Sequence, residues 1–492
     1  MTLSDCSASQ SRCLLLGAKG AGMTALAEIL NDQNHVVTGL DHQVSASDLL
    51  NSDGRRRWKL LPWSDAFDAQ GRFDECVASP AVPSDHPILN QLQAGGVTVT
   101  RLPQRLSRAF RDRRQLCVAG THGKTTTAAM LAWILERCGR RPGYFIGGYV
   151  EQLQRSGCWS SGEDAVLESC EFSNSFHHLN PNVLLLTGIE RDHFDCFPRQ
   201  QDEDTAFRRF AQQLPENGSL VFNADCARTA AVAERVRCQQ ISYQVVNPEV
   251  WSSQHCNADW TAENVQVHPV SAGLFEVPDS AFPLTTFQLK TSQGSIDVQL
   301  SVPGLHNVRN ALGAIAAAAV AGVDPAESAQ TLSDFRGVRR RFEWRGQFRE
   351  SLLIDDYAHH PGAIQATLQT ARQLFPDRRL VAVFEPHQMV RTEALFPAFA
   401  DSLLLADEVL LLPVFAARED CSLPRCCQMS GQLVREVNQR GGRAFLFANL
   451  DQVVSRIDDS ARPADLILTM GAGRTNLIHD ELTGKLQRHS VA

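Results

Sequence analysis

The sequence lacks several features that define large classes of protein. No apolar run approaches the ~20 residues that a membrane-spanning helix needs, and no cleavable apolar segment follows the polar residues 1–12. The 14 cysteines contain no C-x-x-C pair, which predicts reduced thiols and a cytoplasmic protein. Positive charge is not in excess, because 47 Lys and Arg against 55 Asp and Glu give a net charge of −8. We therefore expect no signal peptide, no membrane partner and no nucleic-acid partner.

What the chain does contain is an alternation of short apolar runs with longer helical patterns. Its 492 residues, 43% of them hydrophobic, are enough for about three domains with packed cores. Short apolar runs with polar or glycine-rich ends are typical of buried strands in parallel sheets. We predict such strands at 13–16, 36–39, 116–119, 165–167, 183–187, 352–354, 380–384, 409–412 and 466–470. The fold class is therefore α/β, built from βαβ units.

Two arginine-rich stretches, 105–114 and 335–345, mark candidate domain boundaries. Each is equally well explained as a solvated linker or helix face. Taken as boundaries, they divide the chain into domains 1–114, 115–335 and 336–492.

We expect a Rossmann-like first domain, a central P-loop-type parallel sheet and a Rossmann-like third domain. Within the central domain, residues 243–300 alternate polar and apolar side chains and predict a small antiparallel β appendage. The alanine-rich run 311–323 predicts a buried helix.

A glycine-rich loop joins the predicted strand 116–119 to a helical pattern at 128–136. In this context backbone N–H groups surround a phosphate chain, a lysine neutralises the β- and γ-phosphates and a threonine hydroxyl ligates Mg²⁺. Lys124 and Thr125 take these roles here, although Val118 replaces the first glycine of the strict P-loop pattern. The residues that we assign to ATP from this loop are Gly120, Thr121, His122, Gly123, Lys124, Thr125 and Thr126.

A carboxylate and an imidazole follow two further predicted strands. Glu168 comes directly after 165–167, and His193 comes shortly after 183–187. Residues at the carboxyl ends of neighbouring parallel strands converge on the ligand crevice. We therefore predict that Thr125, Glu168 and His193 hold Mg²⁺ beside the loop, although an isolated Asp-His pair is more often surface structure.

A second glycine-rich loop follows the first predicted strand, and Asp41 ends the strand after it. By itself this arrangement indicates a Rossmann-type half, with a diphosphate at a helix N-terminus and an acid near a ribose. A nicotinamide-dependent dehydrogenase would explain it, but would leave the loop at Lys124 without a purpose. The candidate binding residues are Gly17, Lys19, Gly20, Gly22, Met23 and Asp41.

Five stretches together resemble the Mur ligases, the ATP-dependent amide-forming enzymes of peptidoglycan precursor synthesis. They are residues 120–126, 168–176, 182–193, 303–310 and 355–361. The similarity runs from about Gly17 to Gly473, in the family's order. It implies ATP, Mg²⁺ and a cytoplasmic ligase of the alanine-adding branch, with UDP-N-acetylmuramate and L-alanine as substrates. In that reaction ATP phosphorylates the lactyl carboxylate of the sugar, and the alanine amine then displaces phosphate.

The resemblance also implies roles for individual residues. The N-terminal glycine loop would hold the diphosphate of a UDP-sugar, with Ser79 on the uridine side, although the prolines beside Ser79 also fit a plain rigid turn. Further ATP contacts are implied for His306, Asn307, Asn310, Arg340 and Asp355. Amino-acid contacts are implied for Tyr357, His387 and Arg391. The implied catalytic residues are Lys124, His193, His359 and Arg391, and His359 is our candidate for the base that deprotonates the amine.

Several positions depart from the family's pattern. Lys19 stands where the loop has its second glycine, and we expect its side chain to point outward or to contact the diphosphate. No lysine occurs between Lys124 and Lys290, which excludes the carbamylated lysine of later-acting members and agrees with the alanine-adding and tripeptide-recycling branches. Gln388 and Met389 replace an arginine and an aromatic residue of the amino-acid loop, so the sequence leaves the amino-acid preference open.

Two alternatives close to this family also remain open. The tripeptide-recycling ligase uses the same chemistry with a larger amine, but normally lacks a histidine at the position of His387. A non-catalytic nucleotide-binding relative would not need the intact set of Lys124, Thr125, Glu168 and His193. The sequence does not distinguish a monomer from a homodimer.

Overall fold

The computed structural model describes residues 10–42, 44, 57–63, 72–246, 258–270 and 284–484. Its strands form three sheets that follow one another along the chain. Most neighbouring strands are parallel, and helices connect them, so the predicted α/β class is confirmed. Within these ranges, no helix combines the length and the apolar character needed to cross a bilayer.

The first sheet has five parallel strands in the order β3-β2-β1-β4-β5. Its elements are β1 (Arg12–Leu16), α1 (Ala21–Asp32), β2 (Val36–Asp41), β3 (Lys59–Pro62), β4 (Glu75–Ala78), α2 (Pro87–Ala94), β5 (Thr98–Arg101) and α3 (Leu102–Ala109). The strand order reverses between β1 and β4. In an open parallel sheet this is the point where a ligand crevice forms at the carboxyl ends of the strands.

The central sheet has ten strands in the order β15-β14-β13-β12-β11-β10-β6-β9-β7-β8. The strands are β6 (Arg114–Ala119), β7 (Gly143–Val150), β8 (Arg155–Cys158), β9 (Asp164–Glu168), β10 (Val183–Leu186), β11 (Ser219–Asn223), β12 (Gln239–Val245), β13 (Trp260–Val267), β14 (Thr285–Thr291) and β15 (Gly294–Leu300). The helices are α4 (Lys124–Arg137), α5 (Gln200–Ala211), α6 (Ala227–Ala233), α7 (Leu305–Val320) and α8 (Pro325–Leu332). Since β6 pairs in parallel with both β9 and β10, the carboxyl ends of these three strands lie side by side.

The antiparallel strands predicted within residues 243–300 are present, but they continue the central sheet and are not a separate appendage. β13, β14 and β15 run antiparallel to one another, whereas β13 pairs in parallel with β12. This pairing covers an edge of the parallel sheet whose backbone groups would otherwise lie unpaired. Residues 247–257 and 271–283 lie outside the described residues.

The third sheet has six strands in the order β16-β17-β21-β18-β19-β20. Its elements are β16 (Glu343–Phe348), β17 (Ser351–Asp356), α9 (Pro361–Leu374), β18 (Leu380–Phe384), α10 (Met389–Ala394), α11 (Phe396–Leu403), β19 (Glu408–Leu411), α12 (Leu423–Gln439), β20 (Ala444–Leu446), α13 (Leu450–Ser460), β21 (Leu466–Met470) and α14 (Leu477–Leu482). Only β16 runs antiparallel to its neighbour.

Each strand predicted from an apolar run overlaps a strand of the structure. The predicted buried helix is α7, whose alanines lie in the core of the central sheet and pack against α4. The arginine-rich stretch 105–114 is less solvated than a linker would be. Arg105 is 7% exposed, and its guanidinium contacts the Glu75 carboxylate at 3.0 Å, so burial with a partner ion explains part of this stretch.

Candidate active site

The phosphate loop joins β6 to α4 at the middle of the central sheet. Gly120 has a φ of +135°, and a Cβ there would collide with the Thr187 hydroxyl and the Gly188 backbone. Gly123 has a φ of +80° and is the N-cap of α4. Only glycine adopts these conformations without strain. The two glycines therefore place the backbone N–H groups of the loop at the N-terminus of a helix, where anions bind.

Lys124 folds back over the loop that precedes it. Its Nζ donates hydrogen bonds to the carbonyl oxygens of Gly120 and Thr121, and to the two Glu171 carboxylate oxygens at 3.0 and 3.1 Å. Burial alone would lower the pKa of Lys124, but the Glu171 carboxylate reverses this, and the pKa lies above its usual value. The lysine therefore stays protonated inside the loop.

Glu171 received no role from the sequence, yet it is the buried anion of this site. Its side chain is 1% exposed, and its Oε1 lies 3.5 Å from His193 Nε2. Burial raises the pKa of Glu171, but Lys124 and His193 outweigh it, so the pKa is lowered and the group is ionised. The only signal in the sequence was its position three residues after Glu168.

Thr125 and Glu168 meet directly. Thr125 Oγ1 donates to Glu168 Oε1 at 2.9 Å, and the Gly147 N–H donates to Oε2 at 2.5 Å. Adjacent ligands of an octahedral Mg²⁺ lie roughly 2.9 Å apart, so the hydroxyl and the carboxylate have the spacing that this ion requires. A Cβ at position 147 would lie 2.8 Å from the carboxylate, which explains the glycine.

His193, which faces Glu171, adopts a strained backbone conformation. Its φ is +49°, a left-handed value that costs energy in a residue other than glycine and is frequent at functional sites. Its Nδ1 is buried, and among the described residues no hydrogen-bond partner reaches it. The structure groups His193 with Glu171 and Cys170, so its predicted place beside Thr125 and Glu168 as a ligand of Mg²⁺ stays a prediction.

Side chains from the third sheet cover the phosphate loop. Arg341 Nη2 donates to Thr125 Oγ1 at 3.3 Å. His360, which caps α9, places its Nδ1 3.1 Å from His122 Nε2, and its Nε2 contacts the Arg191 carbonyl oxygen at 3.1 Å. The third sheet and the central sheet therefore form one crevice around the loop.

A buried ion pair closes the same interface. Arg391 Nε donates to Asp192 Oδ1 at 2.7 Å, with side chains 3% and 5% exposed. Arg391 also donates to the His387 carbonyl oxygen at 3.0 Å. Burial raises the pKa of Asp192, but Arg391 and His193 outweigh it and hold the pKa well below its usual range. The sequence indicated Arg391 but missed Asp192, whose one signal is that it precedes His193.

The predicted amino-acid residues lie together near this pair. The centroids of the His359 ring and the Tyr357 ring are 5.3 Å apart, and those of His359 and His387 are 5.9 Å apart. His359 Nδ1 donates to the Tyr357 carbonyl oxygen at 2.8 Å, so in the neutral ring the lone pair is on Nε2. Burial, assisted by Arg391, lowers the pKa of His359 well below its usual value.

Helix α7 carries three of the predicted ATP contacts and brings one of them, Asn310, beside the loop. Asn310 Nδ2 donates to Asn307 Oδ1 at 3.1 Å, so the two amides share one face of the helix. A Cβ at Gly123 would collide with the Asn310 side chain, which shows that Asn310 packs against the phosphate loop. Burial lowers the pKa of His306, at the start of the same helix, to about 4.

The N-terminal glycine loop is assembled at the crevice of the first sheet. Gly17 has a φ of +78°, and a Cβ there would lie 3.0 Å from Ser79 Cβ. The Lys19 N–H donates to Asp41 Oδ2 at 2.9 Å. The carboxyl ends of β1, β2 and β4 therefore bring Gly17, Lys19, Asp41 and Ser79 together, as the order of the strands requires.

The other residues of this loop differ in what they contact. Gly20 is the N-cap of α1, and Gly22 lies against Phe145 of the central sheet. Met23 is 2% exposed and packs in the core under the loop. The Lys19 side chain is exposed. The backbone of Lys19 does not have a positive φ, so a residue with a Cβ fits this position of the turn.

Comparisons with known proteins agree with this geometry. Three family profiles match successive parts of the chain: the catalytic domain of the Mur ligase family at 14–114, the Mur ligase middle domain at 118–318 and the glutamate ligase domain of Mur ligases at 340–473. A UDP-N-acetylmuramate–L-alanine ligase from Roseiflexus sp. is 34% identical over 93% of this chain and 96% of its own. The enzyme of that name from Chloroflexus aggregans is also 34% identical, over 96% and 98%. The chain belongs to the Mur ligase family.

Solved structures share the fold of this Mur ligase. A UDP-N-acetylmuramate–alanine ligase from Thermotoga maritima superposes with a TM-score of 0.77 at 23% identity, over 96% of this chain and 98% of its own. A murein peptide ligase from Psychrobacter arcticus gives a TM-score of 0.71 at 26% identity, over 98% and 100%. The predicted family and three-sheet α/β architecture are therefore confirmed, and ATP follows from membership of an ATP-dependent ligase family.

Two residues that were predicted to contact ATP are held within the third sheet. Arg340 donates to Asp355 Oδ2 at 3.1 Å and to the carbonyl oxygens of Gly471 and Gly473. The Asp355 side chain is fully buried, and burial raises its pKa. In this Mur ligase the neighbouring Arg341, and not Arg340, makes the contact with the phosphate loop.

The two residues of the amino-acid loop that depart from the family pattern, Gln388 and Met389, are buried. Gln388 is 4% exposed and adopts a φ of +71° as the N-cap of α10. Met389 is also 4% exposed and packs against Val414 and Cys426. The arginine of the family pattern is therefore replaced by a buried glutamine in a turn, and the aromatic residue by a buried methionine. His387 and Arg391 remain near His359.

Proposed function

We propose that this Mur ligase joins L-alanine to the lactyl carboxylate of UDP-N-acetylmuramate, with ATP, in the synthesis of peptidoglycan precursors. The observation that carries the proposal is the crevice between the central and third sheets, where Arg341 contacts Thr125 of the phosphate loop and Arg391 contacts Asp192. The names of the relatives at 34% identity support the choice of sugar and amino acid.

The sugar nucleotide is proposed to bind at the crevice of the first sheet. Its diphosphate would lie at the N-terminus of α1 (Ala21–Asp32), where the N–H groups of the first helical turn have no acceptor within the helix and favour anions. Asp41 and Ser79 flank this point. Gly22 contacts Phe145 of the central sheet, so the loop lies against the domain that carries ATP.

The first chemical step is proposed to transfer the γ-phosphoryl group of ATP to the lactyl carboxylate, which gives an acyl phosphate and ADP. Both reactants are anionic, so cationic side chains must offset their repulsion before the oxygen approaches the phosphorus. Lys124 and Arg341 supply this charge at the phosphate loop. Thr125, Glu168 and His193 would hold Mg²⁺, which neutralises phosphate charge when it is bound.

In the second step the amine of L-alanine attacks the activated carbonyl and phosphate leaves. His359 is proposed as the base: its Nε2 carries the lone pair, and its lowered pKa keeps the ring neutral at pH 7. The proton of the amine would pass to that nitrogen. Arg391, with Tyr357 and His387, would orient the amino acid beside it.

The organisation of the molecule is proposed to follow the boundaries expected from the sequence, 1–114, 115–335 and 336–492. One sheet corresponds to each range, except that β6 of the central sheet begins one residue earlier, at Arg114. The cysteines in the described ranges are all free thiols, which supports a cytoplasmic location. We propose a monomer or a homodimer that needs no membrane or nucleic-acid partner.

A phosphate-release assay tests the proposed function. Purified protein is given ATP, Mg²⁺ and UDP-N-acetylmuramate with alanine, serine, glycine or the tripeptide L-alanyl-γ-D-glutamyl-meso-diaminopimelate, and the product is weighed by mass spectrometry. We expect release with alanine that depends on the sugar nucleotide. Absence of phosphate release with every one of these amines would contradict ligation and leave a nucleotide-binding role.

A second candidate is the tripeptide-recycling activity. The likeness to the Psychrobacter arcticus murein peptide ligase favours it, whereas His387 favours alanine. A higher kcat/KM for the tripeptide than for alanine in the same assay would decide for this candidate.

A further inference from the structure

A second group of metal-ligating side chains lies on the phosphate loop, apart from Thr125 and Glu168. It consists of His122 in the loop, Glu190 after β10 and His360 at the start of α9. Each of the three comes from a different segment, and His360 belongs to the third sheet while the other two belong to the central one. The ligation chemistry proposed above gives no role to Glu190 or His360, and it includes His122 only as one residue of the ATP-binding loop.

The three ligand atoms form a nearly equilateral triangle. His122 Nε2 lies 3.1 Å from His360 Nδ1 and 3.4 Å from Glu190 Oε2, and His360 Nδ1 lies 3.6 Å from the same Glu190 oxygen. Two ligands of a tetrahedral ion with bonds of 2.0–2.1 Å lie roughly 3.3 Å apart. The triangle therefore has the size of one face of such a tetrahedron.

We propose that His122, Glu190 and His360 bind a tetrahedral transition-metal ion such as Zn²⁺, with the fourth position left to water. Two imidazoles and one carboxylate are a donor set that zinc accepts. The ion would join the phosphate loop to α9, and so hold the third sheet against the central sheet. This site is separate from the proposed Mg²⁺ position, and it does not depend on the proposed amino-acid substrate.

The hydrogen bonds of His360 prepare it to be a ligand. Its Nε2 lies 3.1 Å from the Arg191 carbonyl oxygen, and since a carbonyl only accepts, Nε2 carries the proton and Nδ1 keeps its lone pair. A backbone carbonyl that orients a histidine in this way is the common second partner in zinc sites.

Glu190 supplies the charge and the access. Its side chain is 53% exposed, whereas that of His360 is 7% exposed. A cleft of about 370 Å³, lined in part by Glu190, His360 and Gly362, opens beside the group. An ion can therefore reach the two histidines from the solvent.

Two existing bonds compete with the ion. His360 Nδ1 accepts a hydrogen bond from His122 Nε2 at 3.1 Å, so the His122 ring must carry its proton on Nδ1 before its Nε2 can bind a cation. The Gly362 N–H donates to His360 Nδ1 at 3.3 Å and caps α9. This bond is long, and Pro361 at the first position of the helix has no N–H to satisfy. A bound cation would cost the helix this one hydrogen bond and gain a bond to nitrogen in its place.

Titration of the metal-free, reduced full-length protein with Co²⁺ tests the proposal, because tetrahedral cobalt absorbs visible light and reports its ligands. We expect one equivalent to bind with a tetrahedral spectrum and to be displaced by Zn²⁺. Glu190→Gln and His360→Gln should each weaken binding by about tenfold or more. His178→Gln, at an exposed histidine elsewhere in the central domain, is the matched control and should bind as the parent does.

The second cluster of donors, Cys170, Glu171 and His193, gives the test its alternative outcome. If Cys170→Ser abolishes the spectrum and Glu190→Gln does not, the ion belongs to that cluster and the proposal is wrong. Absence of any tetrahedral spectrum at millimolar cobalt would also overturn it. Glu190 is exposed, so its variant should fold. Melting temperatures measured with and without Zn²⁺ report binding of the ion independently of ligase activity.

Discussion

At the scale of single residues, the site depends on ions that are buried together. Lys124 and Glu171 have side chains 12% and 1% exposed, and their charged atoms lie 3.0 Å apart. Each ion would be costly to bury alone, but each satisfies the other. The Lys124 ammonium group is therefore held in place before any phosphate binds. A bound phosphate would have to share this ammonium group with the Glu171 carboxylate.

Replacement of this lysine separates catalysis from folding. We expect Lys124→Met to reduce kcat for phosphate release by roughly 10²-fold or more, because charge at the transferred phosphoryl group loses its neutralising partner. Lys290→Met, which removes an exposed partner of Glu263, should leave kcat within about twofold. Equal losses in the two variants, measured in one phosphate-release assay, would contradict the role of Lys124.

The candidate base makes a prediction about pH. Because burial holds the pKa of His359 well below 6.5, the ring stays able to accept a proton down to mildly acidic pH, and the wild-type kcat should show no loss between pH 7.5 and 6.5. His359→Gln should lower kcat by about 10²-fold. Measurement of kcat from pH 5 to 9 checks both statements. A wild-type step centred near 6.5 that disappears in the variant would show an unshifted histidine.

At the scale of elements, the phosphate loop depends on two glycines in left-handed conformations. Gly120 needs a positive φ and also has no room for a Cβ, whereas Gly139, just after the end of α4, has a φ of +74° with open space around it. Gly120, before α4, and Gly139, after α4, therefore differ in the space around them but not in the sign of φ.

Substitution of Gly120 and of Gly139 by alanine gives a matched pair of variants. Gly139→Ala should cost about 1 kcal/mol of stability, from backbone strain alone, and leave ATP binding unchanged. Gly120→Ala adds a collision with Thr187, so we expect a further 1–3 kcal/mol, about the cost of an overpacked core, together with loss of ATP binding. Melting curves and nucleotide titration measure the two effects. Tight ATP binding by Gly120→Ala would show that the loop accommodates a Cβ.

At the scale of the whole molecule, the interface between the central and third sheets contains two ion pairs that differ in burial. Asp192 and Arg391 are 5% and 3% exposed. Asp195 and Arg418, in contact at 3.3 Å, are 31% and 43% exposed. The pair in contact with water is screened, whereas the buried pair is not.

Double-mutant cycles compare these two pairs. Asp192→Asn alone should destabilise the protein by about 3–5 kcal/mol, because Arg391 is left buried without its counter-ion. The coupling energy from Asp192→Asn with Arg391→Gln should exceed that from Asp195→Asn with Arg418→Gln, which we expect to be below about 1 kcal/mol. Comparable coupling energies would mean that the buried pair does not hold the interface.

The same pair predicts how stability changes with acid. The pKa of Asp192 is depressed in the folded protein, so its contribution is fully present above the unfolded value of about 3.9 and is lost as the pH falls toward the folded value. The melting temperature of the wild type should therefore fall more steeply below pH 4 than that of Asp192→Asn. Parallel acid limbs for the two proteins would contradict this.

The sequence predicted local features well because they depend on local chemistry. The strands at 13–16 and 116–119 were marked by apolar residues, and the loops after them by glycines that a positive φ demands. The antiparallel strands were predicted, but their pairing with β12 was not, since that depends on which edge of the sheet is open. Residue roles at Thr125, Glu168 and His193 stay predictions, because no comparison tests them.

The sequence by itself determined the fold class, the family and the position of the phosphate loop, since each follows from residue types at fixed spacing along the chain. Only the tertiary structure decided which polar side chains meet: Glu171 with Lys124, Asp192 with Arg391, and His122 with His360. The partners are 47, 199 and 238 residues apart. Spacing along the chain carries no information over such distances, because the first contact depends on the pairing of β6 with β9 and the other two on the docking of the third sheet against the central sheet.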